Sequence, residues 1–147
     1  VGDERAVVPL IEFLEKSEDK ESREKAALAL GQLGDERAVT SLVKVLEVHI
    51  TDAEVCIGIV TALGQIGNEK AIEALVNALS DLRSKSDPLA LVVPTVGDFA
   101  RIALVEIGEP SLGPLTKALG NERVWVRRSA ESAIKSIHDK ALEDEKK

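Results

Sequence analysis

An all-α solenoid of stacked helical hairpins, about four of them with the first incomplete, is the fold this 147-residue sequence predicts. Three observations lead there. The phrase Gly2-Asp3-Glu4-Arg5-Ala6-Val7 returns as Gly34-Asp35-Glu36-Arg37-Ala38-Val39 and as Gly67-Asn68-Glu69-Lys70-Ala71-Ile72, with a looser copy at Gly108-Glu109-Pro110-Ser111-Leu112. Each copy is followed by leucines four residues apart: Leu10 and Leu14, Leu42 and Leu46, Leu75 and Leu79, Leu115 and Leu119. A second phrase runs into the first, since Ala29-Leu30-Gly31-Gln32-Leu33-Gly34 matches Ala62-Leu63-Gly64-Gln65-Ile66-Gly67, with weaker copies at 103–108 and 133–138. Self-similarity at such a period marks a repeat architecture, in which each unit buries its apolar stripe against the next.

The unit is then a helix A, a tight turn, a helix B and a polar turn. Helix A carries the second phrase, and its apolar column reads Ala26, Ile59, Ala100 and Ala130. Gly34 and Gly67 fall just past its end, where a left-handed residue is needed and glycine meets no steric cost. Asp3, Asp35 or Asn68 then caps helix B. Gly31 and Gly64 lie inside the last turn of helix A. Glycine costs roughly 1 kcal/mol in a helix interior, so a close approach by a neighbouring backbone is expected to offset it. Thr51-Asp52-Ala53-Glu54 has capping-box spacing and marks another helix A start. The repeat measures 32 residues from Gly2 to Gly34 and 33 from Gly34 to Gly67, but 41 from Gly67 to Gly108. The excess falls in an irregular insertion at about 80–98, where Asp87-Pro88 has helix-start character and Pro94 should end or kink any helix begun there. It reads either as a partner-contacting segment or as a repeat-length variation packed on its neighbours.

The ends differ. Val1-Gly2 matches the close of a helix A whose body is absent, so the first helix B needs cover. That is the pattern of a fragment of a longer repeat protein, or of an end covered by self-association. At the other end His138 stands where the turn glycine should be, and a polar tail at about 139–147 is expected to cap the stack and fray.

The Ala-Leu-Gly-x-Leu/Ile-Gly-Asp-Glu-x-Ala-Val pattern resembles the HEAT repeats named after phycobilisome lyases, over nearly the whole chain. The resemblance implies a single domain over 1–147 in a right-handed superhelical stack, with helix A convex and helix B lining a concave face. It also implies a choice of roles, since such repeats occur in adaptors and regulators as well as in chromophore lyase subunits.

Composition narrows the roles. The net charge is −7, and phosphate neutralisation supplies most nucleic-acid affinity, so a nucleic-acid-binding solenoid is disfavoured. One cysteine, Cys56, allows no internal disulfide and leans towards a reducing, cytoplasmic setting. No apolar run is long enough to cross a membrane, and no metal or cofactor is expected. His49 and His138 are far apart and neither is followed by Glu, whereas a HEAT-type di-iron hydroxylase would need several His-Glu pairs. Cys56 has no His near it in sequence and reads as a small buried residue. Carboxylates such as Glu18-Asp19 and Asp35-Glu36 sit at helix starts, as caps and dipole partners. No catalytic constellation emerges. The expected role is a non-catalytic scaffold that binds a protein on its concave face, with phycobilin lyase or lyase subunit as the alternative that the resemblance implies.

The helix B column that should face the partner reads Glu12, Lys44, Asn77 and Lys117, with Thr40 and Glu73 beside it; the adjacent column reads Glu15, Glu47 and Ser80. Trp125, flanked by Arg123, Arg127 and Arg128, joins the candidate site as an aromatic anchor, or else covers the final hairpin.

Overall fold

A computed structural model describes residues 3–48, 52–81 and 94–147. Its elements follow the repeat: α1 (Val7–Lys16), preceded by a 3-10 turn at Glu4–Ala6, then α2 (Lys20–Leu33), α3 (Arg37–Val48), α4 (Ala53–Ile66), α5 (Glu69–Ala78), α6 (Val96–Ile107), α7 (Leu112–Ala118), preceded by a 3-10 turn at Glu109–Ser111, and α8 (Val124–Asp144). No strand occurs among the described residues. The helices form two layers: α2, α4, α6 and α8 pack in succession as the helix A layer, and α1, α3, α5 and α7 as the helix B layer.

Local chemistry explains the boundaries. Asp3, Asp35 and Asn68 accept hydrogen bonds from the backbone of Arg5, Arg37 and Ala71 at 3.0, 2.9 and 2.9 Å. These bonds satisfy amides that have no partner inside a helix. Gly34 and Gly67 adopt φ of 68° and 63°, the left-handed geometry that ends α2 and α4. The cap of α4 is Asp52, bonded to the Glu54 amide at 2.9 Å; Thr51 lies outside the described residues.

The core lies between the layers. Ala26, Ile59, Ala100 and Ala130 are buried, as are Val7, Val39 and Ile72. The leucine stripe holds at Leu14, Leu42, Leu46, Leu75, Leu79 and Leu115, but Leu119, just past the end of α7, is 40 % exposed. Both interior glycines mark close helix contacts. A Cβ on Gly31 would stand 2.6 Å from the Cα of Ala62, and one on Gly64 would stand 2.8 Å from the Cβ of Ala103. Small residues there let α2 approach α4, and α4 approach α6.

Two expectations change. The irregular stretch does not reach Asp98, because α6 starts at Val96 behind a capping box: the Thr95 hydroxyl accepts from the Asp98 amide at 3.2 Å, and Asp98 accepts from the Thr95 amide at 2.7 Å. Gly97 in that first turn is pressed on the end of α5, donating to the Asp81 carbonyl at 2.9 Å. The Asp87-Pro88 start falls outside the described residues. The second change is the tail: α8 runs through His138 to Asp144 without a turn. With no glycine at that position nothing stops the helix, and its last residues are exposed.

Candidate functional site

Helix periodicity turns one side of α1, α3, α5 and α7 towards the core and the other outward, and the outward sides bear grooves. One of them, about 630 Å³, runs between α5 and α7 and reaches the start of α8. Glu69, Glu73, Asn77 and Ser80 line it from the α5 side, and Lys117, Asn121 and Arg123 from the other. Val76, Pro114, Ala118 and Val126 supply its apolar surface. Two smaller hollows of about 340 and 330 Å³ lie between α3 and α5, and both share Asn77 with the large groove. Thr40, Val43, Glu47 and Lys70 line the hollow that also touches Glu73.

The predicted residues divide accordingly. Thr40, Glu73, Asn77 and Lys117 lie on the grooves. Glu12 and Lys44 do not line them. Lys44 pairs with Glu15 of the adjacent column at 3.8 Å, tying α3 to α1, and Glu12 faces Lys16 one turn on at 3.9 Å. Trp125 stands at the first turn of α8 and is 45 % exposed. The Arg123 guanidinium lies 5.9 Å from its ring centre, within cation–π range, and links the indole to the groove. Arg127 is drawn away, donating to the Asn121 and Glu122 carbonyls at 2.7 and 2.9 Å and so fixing the turn before α8.

Glu69 and Asn121 were not among the sequence-derived candidates, Arg123 was noted only as flanking Trp125, and Glu47 and Ser80 were assigned only to an adjacent column. Glu69 could have been found four residues ahead of Glu73 on the same helix face. Asn121 and Arg123 lie on a turn, where periodicity gives no direction.

Charges on the groove walls are of opposite sign. Glu69 and Glu73 on one side and Lys117 and Arg123 on the other enter no ion pair among the described residues. Several carboxylates elsewhere are engaged. Asp35 takes a bidentate bond from Arg37 and is lowered to about 2, chiefly by that side chain and then by the Arg37 amide. Asp52 is held below the ordinary carboxylate value, first by its ion pair with Lys20. A recess beside the starts of α2 and α4 is lined by Glu18, Asp19, Glu21, Glu24 and Glu54. In it Asp19 caps α2 through the Ser22 amide at 2.9 Å, and Glu21 pairs with Lys25. Cys56 is buried, and His138 is exposed on α8; His49 lies outside the described residues. Among the described residues no group of His, Cys, Asp and Glu could hold a metal ion, and no helix is long and apolar enough to cross a membrane.

Residues 2–86 match the family described as HEAT repeats. Among solved structures the chain is similar to the complex of CpcE and CpcF of phycocyanin lyase from Nostoc sp. PCC7120, at 23 % identity and a TM-score of 0.63, over 95 % of this chain and 55 % of that one. It is also similar to human deoxyhypusine hydroxylase in complex with glycerol, at 26 % identity and a TM-score of 0.62, over 94 % of this chain and 45 % of that one. The chain spans about half the length of these two structures. No curated protein matches it.

Proposed function

The chain belongs to the HEAT-repeat family, and from that premise we propose that it is a non-catalytic scaffold gripping a protein partner on the outward face of its helix B layer. One observation carries the reading: the grooves between α3, α5 and α7 adjoin through Asn77 and present carboxylates, amides and cations over apolar floors. Orienting polar groups around apolar surface suit a protein interface. Thr40, Glu73, Asn77 and Lys117 form its centre, Glu69 and Arg123 extend it, and Trp125 is the aromatic anchor at its edge. Glu12 and Lys44 are flanking residues of the same layer. A cytoplasmic setting belongs to this reading and rests on the single buried cysteine.

The alternative, a phycobilin lyase subunit, gains no specific support. Likeness to the CpcE–CpcF complex at 23 % identity is a likeness of fold, and fold does not imply function.

Site-specific photo-crosslinking tests the scaffold. A photoreactive residue at Asn77 or Lys117 should capture a protein from lysate of the source organism, and one at Gln65, exposed on α4, should not. Capture from Gln65 with none from Asn77 or Lys117 would move the interface to the other layer and overturn the proposal.

A further inference from the structure

We propose that the groove between α5 and α7 takes a polypeptide segment of mixed charge, which sets a basic side chain against Glu69 and Glu73 and an acidic one against Lys117 and Arg123. This rests on the scaffold reading and names the partner's chemistry at that site.

The argument starts from desolvation. An occupant that fills the groove removes water from the charges lining it. A charge that loses water without gaining a partner weakens binding strongly. All four groove charges are without an ion-pair partner among the described residues. The occupant must therefore bring both signs. A wholly acidic ligand, nucleic acid included, meets Glu69 and Glu73, and a wholly basic one meets Lys117 and Arg123.

The rest of the lining favours a peptide. Val76, Pro114 and Ala118 offer apolar surface for aliphatic stems. Asn77 and Asn121 carry amide groups, which both donate and accept and so match a peptide backbone. The Asn121 side-chain oxygen already accepts from the Arg123 amide at 2.9 Å, which leaves its NH₂ facing as donor. Trp125 adds a half-exposed ring at the rim, held near Arg123.

Selection from a library of short displayed peptides tests this on the full chain, with two charge-reversed variants, E69K/E73K and K117E/R123E. Thermal unfolding of both checks that they fold, as expected for exposed positions. The wild type should select peptides carrying Lys or Arg together with Asp or Glu at a fixed separation. Those peptides should bind each variant at least about tenfold more weakly. E69K/E73K should instead select acidic peptides and K117E/R123E basic ones. As the chain has one Trp and no Tyr, the selected peptides should shift Trp125 emission. The proposal is overturned if selected peptides lack either sign, if both variants bind them as the wild type does, or if a free Lys-Glu dipeptide binds as well as the longer segments. It is also overturned if the wild type selects nothing beyond what a variant reversed at all four positions selects. If crosslinking from Asn77 persists in such a case, the scaffold reading stands and only the charge pattern falls.

Discussion

Around α1 to α4 several surface charges are engaged with one another: Arg5 with Asp3, Lys25 with Glu21, Arg37 with Asp35, Lys44 with Glu15 and Lys20 with Asp52. Around α5 to α8 the described pair is Lys147 with Asp144 near the C-terminus, while Glu69, Glu73, Lys117 and Arg123 stand apart across the groove between α5 and α7. The residues at the helix A contacts differ in parallel. Glycine at 31 and 64 brings α2, α4 and α6 together, whereas Val105 and Lys135 occupy the corresponding positions of α6 and α8. The first region spends its polar groups on fixing helix starts and holding neighbours. In the second, α7 turns small residues, Pro114 and Ala118, towards the gap facing α5, leaving a trough whose charges enter no ion pair among the described residues. A solenoid built from one unit can thus arrange its surface charges differently from repeat to repeat.

The sharpest way to break this contrast is to remove the small residues. Gly31→Val should destabilise the chain by about 3 kcal/mol, because the added methyl groups meet the α4 backbone and the interface must open. Val105→Gly, the reverse change in the second region, should cost about 1–2 kcal/mol through helix propensity and lost packing. Urea unfolding followed by circular dichroism measures both, and equal costs would remove the asymmetry.

Next in size is the cap of α4. Asp52→Ala removes a bond to the Glu54 amide and the partner of Lys20, and should cost about 1 kcal/mol. Asp52→Asn, which keeps a capping oxygen, should recover most of it, whereas loss of equal size would assign the effect to the ion pair.

Acid should act on the first region. Asp3, Asp19, Asp35 and Asp52 are all held below the ordinary carboxylate value of 3.8 by hydrogen bonds and cations, Asp35 to about 2. Below about pH 4 the unfolded chain therefore binds more protons than the folded one. The stability from these groups is present above that pH and is lost as pH falls through their folded values towards 2. Hydrogen exchange at pH 2.5 against pH 6 should show α2 and α3 opening more than α7 and α8; uniform loss would mean that these carboxylates do not set acid stability.

The smallest effect tests the groove. Lys117→Glu with Arg123→Glu breaks no ion pair and should shift stability by less than about 0.5 kcal/mol, while capture of the partner from Asn77 is lost. A large loss of stability would show that these cations hold the fold.

Much of this was legible in the sequence. Asp35 and Asn68 cap because a short polar side chain precedes the helix, and Gly34 and Gly67 end helices because their backbone must be left-handed; both are local rules. The columns through Ala26 and Ile59 reported burial because helical period fixes the direction of a side chain. Direction is not partnership. Lys44 was placed on the right layer, yet it meets Glu15 of a neighbouring helix, which a single column cannot reveal. Asn121 was missed, and Arg123 seen only as a neighbour of Trp125, because a turn has no period; the continuation of α8 past His138 was missed because the missing glycine was read as a substitute and not as the loss of a stop signal.

The sequence by itself determined the repeat, its caps, its tight turns and its buried stripes, since each depends on contacts within a few residues. Only the tertiary structure decided the width of the gap between α5 and α7 and which charges face across it. Those depend on how far apart neighbouring helices settle, and that distance is set jointly by side chains from several repeats.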